Sequence, residues 1–499
     1  MKLPHDLAAR TGTRSAPLLV ILLACVLLLA GCATPHAFQV QRAPSGPLPC
    51  AVPMQQRDVL VGIAMSGGGS RAALFGAASL EALAGVQTQD GKSVLEHVDY
   101  LSSVSGGSIA ASYYVLKKPA RTVPMLSPDG KMTDRYRTFF DEYRKAVGQR
   151  IGSSVFWRQI SRFRWINPAS GARSLTEILS ERLLGDATMM DVARREASGD
   201  SPGLIINTTL YNNGRRLALT NHSSETFRYN FFVDLEASLA RQGKSAPIPS
   251  ILLDRWQTLL PMTPHEIRFD VCGTPLAAAV AASASFPPVI GPITFQVEGD
   301  PTFWHAGDGG LYENQGAESI LFMALRQLQL KNARRALILA VDSSFPFAVG
   351  DIRLNRRAQP FGLLSFDFSR IPSIMEERAT TYRALFFRTL QMQGVFPDDR
   401  TVRVLSLRHI DAIWNSDLSD LPAACRNETP ALRSPAEVRQ RLAEIPTLLR
   451  IKSECDGQLL VVAAAKVVAQ NRDAILELLN ADPAPEPGAA PPARGPAIP

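Results

Sequence analysis

Three glycine-rich clusters lie where a short β-like run gives way to a helical one, and this repeated placement constrains the chain more than any other feature. Val59–Met65 reads as a buried strand running into Ser66-Gly67-Gly68-Gly69 and a helix over 71–83, stopped near Gly85. A shorter strand at 98–104 precedes Ser105-Gly106-Gly107-Ser108 and an Ala/Tyr-rich helix. Residues 303–306 lead into Gly307-Asp308-Gly309-Gly310, with a helix expected over 317–330. Such alternation predicts an α/β fold with a largely parallel central sheet. Crevices at the carboxyl ends of its strands are where open sheets hold ligands.

Other elements follow from the same patterns. Residues 203–211 and 215–221, separated by Asn212-Asn213-Gly214, read as a hairpin with a tight turn. Further strands are expected at 334–341 and 402–407, and closing helices at 434–449 and 458–479. Residues 33–56 are rich in Pro and Gly and read as a tether, while 481–499 is mostly Ala, Pro and Gly and reads as a disordered tail.

The N-terminus has a separate logic. Lys2, Arg10 and Arg14 precede an apolar run at 18–29 that ends in Leu29-Ala30-Gly31-Cys32. That run is short for a membrane span of about 20 residues, and its flanks are those of a secretory leader. Leu-Ala-Gly-Cys resembles the bacterial lipobox, which implies cleavage before Cys32 and its diacylation. Ala33 in the next position resembles lipoproteins sorted to an outer membrane, that of a Gram-negative cell envelope. In an oxidising compartment Cys50, Cys272, Cys425 and Cys455 could form disulfides. Cys425 and Cys455, flanking one helical segment, are the preferred pair; Cys50 with Cys272 follows only by elimination, and four free thiols stay open. The domain plan is then a leader at 1–31, a lipidated Cys32 and tether at 32–56, a core at 57–345, an extension at 346–480 and a tail at 481–499.

The chain carries a formal net charge of +7. Lys2, Arg10 and Arg14, less Asp6, account for +2 of it, which leaves about +5 beyond the leader. That suits an anionic lipid surface, and no zinc-finger spacing or RNA-binding motif accompanies it, so no nucleic acid is expected. Scattered histidines and the absence of Cys-x-x-Cys argue against a metal site.

Each glycine cluster can be assigned a chemical task. Ser103-Val104-Ser105-Gly106-Gly107 fits a nucleophile elbow, with Ser103 in the place usually taken by glycine. Gly67, Gly68 and Gly69 can offer backbone N–H groups to an oxyanion at a helix N-terminus. Arg71 could reinforce that site or pair with a substrate phosphate. Asp308 can serve as the base for Ser105 if its surroundings adjust its basicity. A Ser-His-Asp alternative would use His305, or His409 with Asp308 or Asp342. Two segments could meet lipid: 135–165, which mixes arginines with Phe156, Trp157, Phe163 and Trp165, and 374–393. Ordinary domain surface or core is the plainer reading of both.

Taken together, these motifs resemble the patatin-like phospholipase family. Met65-Ser66-Gly67-Gly68-Gly69-Ser70-Arg71-Ala72 resembles its glycine-rich motif, in the form found in the related cytosolic phospholipases. Ser103-Val104-Ser105-Gly106-Gly107 resembles its nucleophile motif, Ala282-Ser283-Ala284-Ser285-Phe286-Pro287 its Ala-Ser-x-Ala-x-Pro segment, and Asp308-Gly309-Gly310 the motif of its base. The resemblance runs through 59–342. It implies a three-layer α/β/α fold with a helical C-terminal extension, a Ser105–Asp308 dyad without histidine, no cofactor, and hydrolysis of acyl esters in membrane lipids.

Overall fold

The computed structural model describes residues 37–162, 169–344 and 400–480, apart from 246, 288–289, 427 and 429–430, together with 374, 377–382 and 385. The leader, Cys32 and the Pro/Ala-rich tail lie outside the described residues, as does most of 374–393.

Among the described residues one sheet of nine strands organises the molecule: β1 (Ala37–Val40), β2 (Val59–Met65), β3 (Tyr100–Val104), β4 (Gly203–Leu210), β5 (Arg216–Leu219), β6 (Ile293–Val297), β7 (Phe303–Asp308), β8 (Arg335–Asp342) and β9 (Thr401–Arg408). The order is β1-β6-β7-β4-β3-β2-β8-β9, with β5 paired to β4. Strands β4, β3, β2, β8 and β9 are mutually parallel, and β7 runs antiparallel between β4 and β6. The expected hairpin is the antiparallel β4–β5 pair.

Strand β2 shows why the sheet is covered on both faces. Val61, Ile63 and Met65 enter one apolar core, and Leu60 and Ala64 enter another on the opposite side. A strand apolar on both faces needs a layer on each. One layer includes α1 (Gly69–Ala84), α2 (Gly106–Lys117), α3 (Asp134–Val147), α4 (Ile151–Ser161), α5 (Ala169–Leu179) and α6 (Leu276–Ser283), and the other includes α7 (Ala317–Gln329). The result is the expected three-layer α/β/α architecture with a mainly parallel sheet.

Later in the chain, β9 extends the sheet beyond β8. Among the described residues that follow, a short helical turn at Ala423–Arg426 precedes the longer helices α8 (Pro435–Glu444), α9 (Glu454–Gln470) and α10 (Arg472–Leu479). Helix α9 packs on α1. The single helix expected at 458–479 is two, divided at Asn471, whose side-chain amide donates to the Val467 carbonyl at 2.8 Å and competes with the helical ladder.

One further expectation changes. The stretch read as a flexible tether is folded from Ala37 onward. Strand β1 pairs in parallel with β6, Arg42 bridges to Phe269, and Cys50 is joined to Cys272. Alternation in Ala37–Val40 is too short to register against the surrounding Pro and Gly. Both cysteine pairs are disulfides; Cys425–Cys455 clips the turn before α8 to the first turn of α9.

Candidate active site

Ser105 stands between β3 and α2 with φ 52° and ψ −119°, a backbone conformation few non-glycine residues adopt. Strain of this kind, of order 1–3 kcal/mol, persists only where neighbours hold it. Here the Ser105 N–H donates to Ser283 Oγ at 2.9 Å, and the Ser105 carbonyl accepts from the N–H of Ser108 at 2.9 Å. Helix α2 then begins hard against the end of β2. A Cβ on Gly106 would lie 2.0 Å from the Gly69 carbonyl oxygen, and one on Gly107 2.4 Å from that of Met65. Only glycines permit the turn. Ser103, the departure from the usual elbow, is buried with its hydroxyl donating to the Ile205 carbonyl at 3.3 Å, so its extra atom is accommodated.

The sheet register explains how Asp308 reaches this serine. Val104 pairs with Asn207 on β4, and Thr208, the next residue of β4, pairs with Asp308 at the end of β7. Past Asp308 the chain crosses the β4 backbone: a Cβ on Gly309 would lie 2.5 Å from the Asn207 carbonyl oxygen and 3.2 Å from Val104 Cγ1. The Asp308 carboxylate accepts from the Gly310 N–H at 2.8 Å, and the Ser105 hydroxyl lies near enough to stabilise its charged form. It is buried, and burial pushes its carboxyl up to about 7, against the downward pull of the Gly310 N–H and the Ser105 hydroxyl. Its backbone is pinned by its N–H to the Ser285 carbonyl at 3.0 Å and by Thr209 Oγ1 on its own carbonyl at 2.9 Å. A carboxylate with affinity for a proton near neutrality is suited to general-base work.

The glycine loop is adjacent, with a Cβ on Gly67 falling 3.2 Å from Ser105 Cβ. Gly68 and Gly69 take φ of 143° and 61°. The Gly67 N–H donates to the Asn314 carbonyl at 2.8 Å, and the Ser70 N–H to the Leu448 carbonyl at 2.7 Å. Of the three expected donors, Gly67 is therefore already engaged. The N–H groups of Gly68 and Gly69 have no protein acceptor among the described residues.

Arg71 requires a correction. It is buried and faces the C-terminal extension, donating to the carbonyls of Ser343 and Ile445 and to Thr447 Oγ1 at 3.1 Å. Three of its five N–H donors are taken by those acceptors, so its contacts anchor residues 445–448 over the glycine loop and none of them points to an oxyanion or phosphate.

The histidine alternative finds no geometry among the described residues. His305 pairs with Thr294 Oγ1 at 3.0 Å across the β6–β7 hairpin. His409 is buried beside Asp342 and Phe75, and burial together with the Arg71 charge lowers it to about 3.

Three site residues carried no catalytic signal in the sequence. Ser283 Oγ accepts from Ser105 N–H, lies 2.9 Å from Ser108 Oγ and donates to the Asn207 carbonyl at 2.7 Å. Asn207 in turn donates to Ser102 Oγ and to the Ser103 carbonyl, both at 3.0 Å. Asn314 places its carbonyl on Gly67 N–H and donates its amide to Ser344 Oγ at 3.0 Å. Ser283 lies in a segment set apart only by family resemblance; the asparagines lie in no motif.

Comparison with known proteins bears on this geometry in two ways. Three solved structures align with most of the chain. Human GIVD cytosolic phospholipase A2 does so at 12% identity and a TM-score of 0.40, over 84% of this chain and 60% of that one. The same enzyme in complex with methyl gamma-linolenyl fluorophosphonate gives 13% and 0.40, over 84% and 58%. VipD from Legionella pneumophila gives 10% and 0.25, over 84% and 72%. This chain thus spans under two thirds of the human enzyme, and likenesses this distant carry no part of the site assignment. No curated protein matches the chain. A family model described as patatin-like phospholipase matches residues 63–321, just over half of the chain, and takes in the glycine loop, Ser105, Ser283 and Asp308. The chain belongs to the patatin-like phospholipase family.

Proposed function

We propose that the protein is a serine acyl hydrolase that cleaves fatty-acyl esters of membrane lipids, phospholipids or lysophospholipids among them. The observation that carries this reading is the strained Ser105 beside a buried Asp308 whose carboxyl is raised to about 7. Asp308 takes the proton of Ser105 Oγ as that oxygen attacks the ester carbonyl. The oxyanion is held by the N–H groups of Gly68 and Gly69 at the start of α1, where the helix end also favours negative charge. Collapse expels the alcohol, which leaves with the proton from Asp308, and forms an acyl-Ser105 ester. Water, deprotonated by Asp308, then releases the fatty acid and regenerates the serine. Nothing in these steps calls on a cofactor.

The lipobox-like Leu29-Ala30-Gly31-Cys32 supports anchorage of the mature chain through acylated Cys32 in the cell envelope. No helix among the described residues is long and apolar enough to cross a membrane.

The test is fatty-acid release from phospholipid in mixed micelles. The wild-type protein should release it and Ser105→Ala should not, while binding the micelles equally well. Micelle binding without release by the wild type would favour a non-catalytic lipid-binding lipoprotein.

A further inference from the structure

Helix α4 buries Ile151 and Val155 and turns its other face to solvent, where Phe156, Trp157 and Ile160 are 60%, 65% and 40% exposed. Their spacing places all three on one side of the helix. Phe156 and Trp157 pack edge to face at 5.7 Å between centroids, so they form a continuous apolar ridge. Neighbouring exposed aromatic and aliphatic groups of this size signal a surface that something covers.

Charge identifies the occupant. From Tyr143 through Arg162 the chain holds Arg144, Lys145, Arg150, Arg158 and Arg162 and no carboxylate. Arg144 pairs with Glu81 and Asp141, and Arg158 with Glu177 and Glu181. Lys145 near the end of α3 is exposed, as are Arg150 and Arg162 at the two ends of α4, Arg162 within electrostatic reach of Glu181. An apolar ridge rimmed by cations matches an anionic bilayer, whose acyl region takes the rings while its headgroups take the charges.

The position of the helix ties this surface to the candidate site. At its first turn the Gly152 N–H donates to the Leu449 carbonyl at 2.9 Å, and the preceding Leu448 carbonyl caps Ser70 on the glycine loop. Towards its end Gln159 meets α5 at Gly171, which packs on Ile290, just beyond the Phe286-Pro287 segment. Helix α4 thus joins the strap over the glycine loop to the segment beside Asp308.

We propose that the outward face of α4, through Phe156, Trp157 and Ile160, seats the protein on an anionic phospholipid bilayer and presents the Ser105 site to it. The link to turnover rests on the hydrolase reading; the docking itself does not. The test uses the chain from residue 32 onward carrying Cys32→Ser, so that neither the apolar leader nor an acyl anchor contributes, with and without Phe156→Ser/Trp157→Ser/Ile160→Ser. Co-sedimentation is measured with vesicles of phosphatidylcholine alone and of phosphatidylcholine with phosphatidylglycerol. Hydrolysis is measured on the mixed vesicles and on a dissolved short-chain p-nitrophenyl ester.

The parent should bind the mixed vesicles more tightly than the neutral ones, and high salt should weaken that binding. The triple variant should lose roughly tenfold or more in vesicle binding and vesicle hydrolysis, with its rate on the dissolved ester unchanged. That last readout also shows that the variant is folded. Patch-dependent vesicle binding without hydrolysis of either substrate would sink the hydrolase reading and leave the docking surface standing. Equal vesicle binding by parent and variant would overturn the docking surface. So would a parent that binds no vesicles and self-associates through the ridge.

Discussion

Replacing Asp308 by Asn should abolish activity and stabilise the fold, with a gain that depends on pH. Burial pushes the carboxyl from 3.8 to about 7, so the folded state disfavours its charged form. The sign follows from linkage: the raised value means that the folded protein is most favoured while Asp308 is protonated, and that this advantage is lost as pH rises from about 4 through about 7. Each pH unit in that interval is worth about 1.4 kcal/mol, so above neutrality ionised Asp308 costs the fold about 4 kcal/mol. At pH 5 only about 1.5 kcal/mol of that cost has developed. Asparagine is neutral at every pH, matches the carboxylate in shape and can still accept from the Gly310 N–H. The stability difference between Asp308→Asn and wild type should therefore be larger at pH 8 than at pH 5 by about 2–3 kcal/mol. For a chain of this size that is a further rise in relative Tm of roughly 2–5 °C. Scanning calorimetry of both proteins at the two pH values reads it directly. A difference that does not change with pH would refute the claim that an uncompensated buried carboxylate sits beside Ser105.

Other consequences are open to single experiments. Because the base must be ionised, kcat/KM on a soluble ester should fall about tenfold per pH unit below about 7; a flat profile from pH 5 to 8 would exclude Asp308 as the base. Ser283→Ala leaves the buried Ser105 N–H without its acceptor. It should cost about 1–3 kcal/mol of stability and lower kcat with KM little changed, whereas a purely structural role would reduce stability alone. In Gly106→Ala the new methyl would collide with the Gly69 carbonyl, so turnover should be lost even where circular dichroism shows a folded protein. Replacing the Cys50–Cys272 pair by serines opens a loop of 222 residues and should cost about 2–5 kcal/mol in thermal unfolding, more than opening Cys425–Cys455, with its separation of 30.

How far the sequence could be read depended on whether a local pattern determined the outcome. Strands β2, β3 and β7 are legible because each is a short β-like run leading into a glycine cluster, and Ser105 and Asp308 because they sit at those junctions. The antiparallel insertion of β7 between β4 and β6 left no local trace, since strand order is a matter of long-range pairing. Asn207 and Asn314 were invisible for a related reason: their roles arise from carbonyls and amides brought together by the sheet. Arg71 was misread because its position at the start of α1 suggests an anion, while the groups that claim it, at Ser343, Ile445 and Thr447, come from far along the chain. The fold of 37–50 was hidden by Pro and Gly, which mark irregular backbone but cannot say whether it is packed.

The central claim is that Ser105 is an activated nucleophile, and covalent labelling tests it most directly. The protein would be treated with a fluorophosphonate, weighed intact and mapped by peptide mass. One stoichiometric adduct on Ser105, absent in Ser105→Ala and strongly slowed in Asp308→Asn, is the expected result. No adduct on a folded protein, or an adduct on another serine, would contradict it.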